Sequence, residues 1–208
     1  MAVGDELQKA IVQSARLSQT QPPAPHRIRE AFSRQFMSKE VQCSECGKTH
    51  SLESSELVFD LPDEIFSLTE DVRVQRCDLS AEFCALDRER FFLRGLLPFP
   101  VKGRSDPYRI GIWAEITLSD YKRIYDLWSD PEQSSEPRIS AALANKLPLH
   151  KDNSLGLAIS IQLTGPKTRP EYFIEVMEHE LYAEQQLGID EHRALEYSDR
   201  ALHSSRGG

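Results

Sequence analysis

The sequence predicts an α+β fold, built on a central and mostly antiparallel sheet with flanking helices. Three observations predict it. Aromatic and β-branched residues concentrate in the middle of the chain, between about residues 83 and 177. Helical periodicity is strongest toward the two ends. The regular strand–helix–strand alternation of a doubly wound parallel sheet is missing.

The elements follow in order. Residues 5–19 place Leu7, Ile11 and Ala15 on one helical stripe, with Val12 beside it. The run Gln21-Pro22-Pro23-Ala24-Pro25 ends that helix, because proline lacks the amide hydrogen and pushes the residue before it toward extended geometry. A second helix is expected over 26–37, where Ile28, Phe32 and Phe36 recur every four residues. Together they make an N-terminal helical arm, residues 1–40, ahead of a main domain at 41–203 and a flexible tail at 204–208. The arm either packs on the main domain or, through residues 5–37, engages a second copy or a partner.

In the main domain, residues 41–52 read as a turn between two short strands. Pro62 suits the first turn of a short helix to about residue 68. Phe83–Leu86 and Arg90–Leu97 flank the turn Asp87-Arg88-Glu89 as a hairpin. From Tyr108 to Leu118 a strand is expected with Ile110, Ile112, Ala114 and Ile116 on one face. Ser119 is the expected cap of a helix over 120–128, whose face carries Tyr121, Ile124, Tyr125 and Trp128. Residues 129–137 are polar and contain proline, hence a loop. Strands are expected over 155–163 and 172–177, joined by Gly165-Pro166. Terminal helices follow over 178–187 and 190–202, with Gly188 between them and Asp190 capping the second.

Composition bounds function. The chain has 208 residues, 39% of them hydrophobic, enough to bury a substantial core. Its formal net charge is −8, which repels phosphate backbones and argues against nucleic acid or an anionic membrane as a general partner. Lys102, Arg104 and Arg109 form a short basic run that reads as a solvated loop. No apolar run reaches membrane-span length, and MAVGDELQ puts acids where a signal peptide needs a basic region. The expectation is a cytoplasmic chain with reduced thiols, whose four cysteines serve as thiols or metal ligands.

The strongest chemical signal is Cys43-Ser44-Glu45-Cys46-Gly47-Lys48-Thr49-His50. Two thiolates three positions apart converge on one ion when the backbone turns, and Gly47 permits the tight turn that follows. His50 lies within reach. A closed structural zinc site needs four ligands, so Cys84, ahead of the hairpin, is the preferred fourth, with Cys77 as the alternative. A four-cysteine site without His50 and a reactive cysteine pair are the other arrangements.

These residues, followed by Cys84 and Phe91-Phe92-Leu93-Arg94-Gly95, resemble an uncharacterised bacterial family, domain of unknown function twenty-one ninety-nine. The resemblance continues through Pro100-Val101, Gly111-Ile112-Trp113, Leu118-Ser119, Leu127-Trp128, Leu147-Pro148 and Arg169-Pro170. It ends at His179-Glu180-Leu181, Glu184-Gln185 and Gly188-Ile189, and so covers about residues 41–195. The sequence departs from the family pattern at Arg109-Ile110, Leu149-His150-Lys151 and Glu180, which bears on a shared surface pocket more than on the fold. The resemblance implies no established activity.

Catalytic candidates are thin. Asp87, Arg94, His179 and Glu184 supply a carboxylate, an imidazole and an anion-holding guanidinium, the makings of a small hydrolase or transferase near Arg94 and His179. Each also has an ordinary structural reading: a turn, a strand ion pair, a helix start. His179 with Glu178, Glu180 and Glu184 forms a weak second metal pattern. Trp113 and Trp128 read as core rather than as walls of a ligand pocket. The sequence holds no serine elbow, phosphate-binding loop or dinucleotide glycine pattern. Arg206-Gly207-Gly208 resembles a conjugation tail and reads as a frayed end. The preferred expectation is a zinc-stapled, non-enzymatic module that binds a protein partner through an acidic face, of the immunity or antitoxin kind. A hydrolase or transferase and a self-associating regulatory module are the alternatives.

Overall fold

A computed structural model of the chain describes residues 40–42, 47, 49–51 and 56–204. The chain divides into two units at Met37–Ser38, and the first lies outside the described residues, as do the two helices expected there. The second unit opens with an antiparallel hairpin of β1 (Glu40–Gln42) and β2 (Thr49–Ser51). It continues with α1 (Asp63–Phe66), α2 (Glu70–Arg76), β3 (Cys77–Leu79), β4 (Phe83–Leu86), β5 (Arg90–Phe99) and β6 (Tyr108–Ile116). Then follow α3 (Leu118–Leu127), β7 (Ile139–Leu143), β8 (Ala158–Gln162), β9 (Glu171–Ile174), α4 (Glu180–Leu187) and α5 (Glu191–Ser204).

Strands β3 to β9 form a seven-stranded sheet in sequence order, each antiparallel to the next. The sheet then curls back on itself. Leu96 of β5 pairs in parallel with Glu171 of β9, and the Leu96 amide donates to the Pro170 carbonyl at 2.9 Å. Closure removes the free edge that β9 would otherwise present.

Alternation sorts the side chains. Phe91, Leu93, Leu97 and Phe99 of β5 face inward with Ile110, Ile112, Ala114 and Ile116 of β6, Ile159 and Ile161 of β8, and Tyr172 and Ile174 of β9. Phe92 and Trp113 face outward into a second cluster with Cys84, Leu86, Ile65 and Ala144. The expected inward face of β6 is the observed one. Segment 57–68 covers the outer cluster. The Phe59 amide donates to the Gly111 carbonyl at 2.8 Å, and Trp113 Nε1 donates to the Phe59 carbonyl at 3.1 Å.

The inner core is capped at its ends by helices. Tyr121 and Tyr125 of α3, with Trp128 just beyond, meet Phe83 edge-on at centroid distances of 5.3, 5.7 and 5.2 Å. Trp113 and Trp128 are thus packing residues. Leu181 of α4 and Ala194 and Tyr197 of α5 join the same core, and Tyr197 stacks on Phe99 and Tyr108.

Several expected elements need correction. Helix α3 starts at Leu118, and its cap is Thr117, whose Oγ1 accepts from the Asp120 amide at 3.1 Å; Ser119 lies inside the first turn. Thr117 is extended and stands three residues before that amide, which is the geometry capping requires. Helix α2 and strands β3 and β7 were not expected. β3 is only three residues, and Ile-Ser-Ala-Ala-Leu in β7 has one β-branched residue, so tertiary pairing decides both.

One residue makes closure possible. The inward position of β5 between Leu93 and Leu97 is Gly95, and the Tyr172 ring lies across it, donating its hydroxyl to the Leu93 carbonyl at 2.7 Å. A Cβ at Gly95 would stand 2.3 Å from Tyr172 Cζ, inside van der Waals contact with a fully buried ring. Gly95→Ala should therefore lower unfolding free energy by about 1–3 kcal/mol, read as a reduced midpoint in urea. A variant as stable as the parent would show that the ring is free to move.

Candidate functional site

The sequence-predicted residues do not share one place; three regions hold most of them. The first is the β1–β2 hairpin. Gln42 pairs with Thr49 across the hairpin, and Cys43 and Cys46 lie between them in the sequence. Gly47 has φ +69°, a left-handed conformation that glycine adopts at no steric cost. His50 sits in β2 opposite Val41. Cys43 and Cys46 themselves lie outside the described residues. Cys84 is fully buried in the outer cluster, paired across the strands with Phe92. Burial, then the neighbouring Cys77 sulfur, pushes its thiol up to about 12, so it is held as a protonated thiol among apolar groups. Cys77 packs on the edge of that cluster, where burial raises its thiol too. Among the described residues no three His, Cys, Asp or Glu side chains converge as a metal site.

The second place is a polar knot between the 148–150 loop and the two C-terminal helices. His150, whose imidazole has no exposed surface, directs Nδ1 to the Pro148 carbonyl at 2.9 Å. A carbonyl only accepts, so Nδ1 carries a proton. Nε2 lies 3.1 Å from Glu184 Oε2 and 3.1 Å from the Tyr197 hydroxyl. Tyr197 donates to the same Glu184 oxygen at 2.7 Å, and Arg193 Nε donates to Oε1 at 2.7 Å. Burial pushes the Glu184 carboxyl up, but hydrogen bonds from His150 and Tyr197 and the charges of His150 and Arg193 outweigh it and hold Glu184 below its ordinary value. Burial beside that carboxylate drives the Tyr197 hydroxyl far upward. His179 stands close by, its ring 6.2 Å from His150 between centroids. It is the N-cap of α4: Nδ1 accepts from the Leu181 amide at 3.1 Å. Its Nε2 is buried without a partner.

The third place is the outer face of β5. Arg94 lies opposite Trp113 in the register, its guanidinium 5.8 Å from the indole centroid. Its neighbours are Asp60, Glu82 and Arg169. Asp87 belongs to none of these groups. It sits at φ +51° in the β4–β5 turn and forms an ion pair with Arg76, whose hydrogen bond holds its carboxyl below the usual range.

The expected set of Asp87, Arg94, His179 and Glu184 is therefore not one constellation. The structure brings Glu184 and His179 toward His150, and places Arg94 and Asp87 among other partners. Sequence reasoning missed His150, Arg193 and Tyr197 as members of the knot. The loop and the helix are separated by more than forty residues, and neither carries a spacing that points to the other. Of the basic run, Arg104 and Arg109 border an open cleft of 610 Å³, where Arg104 pairs with Glu191 and Glu56 accepts from the Arg109 amide. No helix of the described residues is long and apolar enough to cross a membrane.

The family model described as "Uncharacterized protein conserved in bacteria (DUF2199)" matches residues 42–189, most of the chain. The chain belongs to this family. No curated protein and no solved structure matches it. The DUF2199 stretch takes in the hairpin loop, the Arg94 face, His150 and Glu184, and stops just before α5. In this DUF2199 chain the knot is thus completed by Arg193 and Tyr197, which lie beyond the matched stretch.

Glu184 sets a pH dependence. Its folded-state value is depressed, so its contribution to stability is present above the ordinary value of 4.5 and is lost as pH falls through the folded value. Glu184→Gln should cost about 2–4 kcal/mol at neutral pH, because it leaves Arg193 under-compensated within the knot. It should also flatten the acid limb of stability against pH. Denaturant titrations between pH 3 and 7 measure both; an unchanged acid limb in the variant would remove Glu184 from the account.

Proposed function

We propose that this DUF2199 chain is a non-enzymatic binding module whose opening hairpin is stapled by zinc. The observation that carries the reading is the base of that hairpin. Gln42 pairs with Thr49, Cys43 and Cys46 lie between them in the sequence, and Gly47 has φ +69°. In this reading the two thiolates share one tetrahedral ion, with His50 the nearest imidazole in sequence. Cys84 and Cys77 share the outer face of the sheet, and one of them, Cys84 by preference, is the proposed fourth ligand beside Cys43, Cys46 and His50.

The partner in this reading is a protein. A chain of net charge −8 steers basic surfaces toward itself and repels phosphate backbones. An immunity or antitoxin role, the capture of a basic toxin, fits that charge.

Metal analysis of the purified chain should find one zinc per molecule. Cys43→Ser with Cys46→Ser should abolish it and unfold the hairpin, and Cys84→Ala should weaken its binding. A native chain without stoichiometric zinc overturns the staple. Isolation from the native host should yield one stoichiometric basic partner whose affinity falls about tenfold or more between 50 and 500 mM salt. A partner insensitive to salt, or none at native abundance, overturns the acidic-face reading.

A further inference from the structure

Strand β5 is flanked on one side by β6 along its whole length and on the other by two different strands. β4 pairs with Arg90 to Leu93, and β9 meets Leu96. Both strands begin at this fork and run away from each other, one antiparallel to β5 and one parallel. Arg94 stands in the fork. Its amide donates to the Glu82 carbonyl at 2.9 Å, just before β4 begins. Arg169, just before β9, grips Glu82 with two hydrogen bonds of 2.8 and 3.0 Å. The partly buried Glu82 carboxylate is therefore already taken by another guanidinium.

Arg94 is left short of counter-charge. Its side chain is 14% exposed, and Nε is buried with no hydrogen-bond partner. Among the described residues the one carboxylate within ion-pair range is Asp60, 3.9 Å away and 93% exposed, too distant for a hydrogen bond and bathed in water. Burial and then the charge of Arg169 lower the Arg94 value, against the opposing pull of Glu82 and Asp60. A partly buried cation beside a second cation, with one distant and exposed partner, is left under-compensated unless something else completes it. Trp113 contributes the face of an indole beneath the guanidinium, which favours a cation without neutralising it.

We infer that Arg94, backed by Arg169 and floored by Trp113, is a recognition site for a carboxylate that takes the place of Asp60 at the guanidinium's terminal nitrogens. The nearby Glu82 and Asp60 and the net charge of −8 favour a singly charged carboxylate over a phosphate. The carboxylate belongs either to a small organic acid or to a polypeptide, and the guanidinium–carboxylate chemistry is the same in both. This site is independent of the zinc hairpin: it survives if the hairpin holds no metal.

The test follows the Arg94 Nε–H resonance by NMR in full-length protein labelled with ¹⁵N-arginine. The probes are acetate, phosphate, and a short peptide with a free or an amidated C-terminus, each against chloride at matched ionic strength. Acetate should shift the resonance saturably, and chloride should not. A free-carboxylate peptide at least tenfold tighter than acetate and than its amidated form assigns the carboxylate to a polypeptide; equal affinities assign it to a small acid. Asp60→Asn should tighten acetate about two- to fivefold, since it removes the exposed competitor. Arg94→Met should abolish the response while leaving the melting temperature in chloride unchanged or higher, as expected when an uncompensated buried charge is replaced by an apolar chain. A wild-type resonance that no carboxylate moves overturns the proposal, as does phosphate binding tighter than acetate. An Arg94→Met chain that melts well below the parent with Asp60→Asn silent makes Arg94 a structural cation, and overturns it too.

Discussion

The fold depends on one constraint: a single edge of β5 must serve two strands. Hydrogen bonds to β4 occupy its first half and the contact with β9 its second, so the sheet both extends and closes along the same backbone. The two strands have to start at the same point and leave in opposite directions, which leaves a gap at Arg94 and Gly95. Tyr172 fills the inner side of that gap, with its hydroxyl on the Leu93 carbonyl, and only a residue without a Cβ leaves room for the ring. The Glu82–Arg169 bridge spans the outer side. A five-strand ring built this way needs no long register of β5–β9 bonds, because the packed tyrosine holds the seam.

The same economy appears wherever regular pairing runs out. Asn145, fully buried, takes the Trp113 amide on its oxygen at 2.9 Å and gives its amino group to the Leu61 carbonyl and Asp63. Gln185 of α4 accepts from the Ile174 amide and donates to the Tyr172 and Pro98 carbonyls, stitching β9 and β5 to the helix that covers them. Backbone groups at the ends of short strands must find partners once water is excluded, and a side-chain amide supplies both donor and acceptor. The His150–Glu184–Tyr197–Arg193 knot works at larger scale. It carries charge into a closed space, and each charged group meets several hydrogen-bonding neighbours there. Against that background Arg94 and His179 stand out, because each keeps a buried nitrogen without a partner.

Much of the local structure was legible in the sequence for definite reasons. Alternation in β5 and β6 names their inward faces, since a period of two admits no other arrangement once one face is buried. The Asp87-Arg88-Glu89 turn, the aromatic face of α3 and the Gly188 break between α4 and α5 are short-range signals, fixed within a few residues. β7 and β3 carry weak signals of their own and become strands because β6, β8 and β4 offer them free edges. At the candidate sites, the hairpin around Cys43 and Cys46 was readable because its chemistry lies within eight consecutive residues. The knot was not, because its members come from a loop and two helices that only packing brings together.

By itself the sequence determined the fold class, the inward face of β6 and the family, since each rests on residues close along the chain. Tertiary structure decided that the sheet closes, that Glu184 answers to His150 rather than to Arg94 or Asp87, and that Arg94 is left facing Arg169 with Asp60 as its weak counter-ion. Those outcomes depend on distances between residues dozens of positions apart. Such distances are set by how the whole sheet curls, and no local pattern of side chains encodes that curvature.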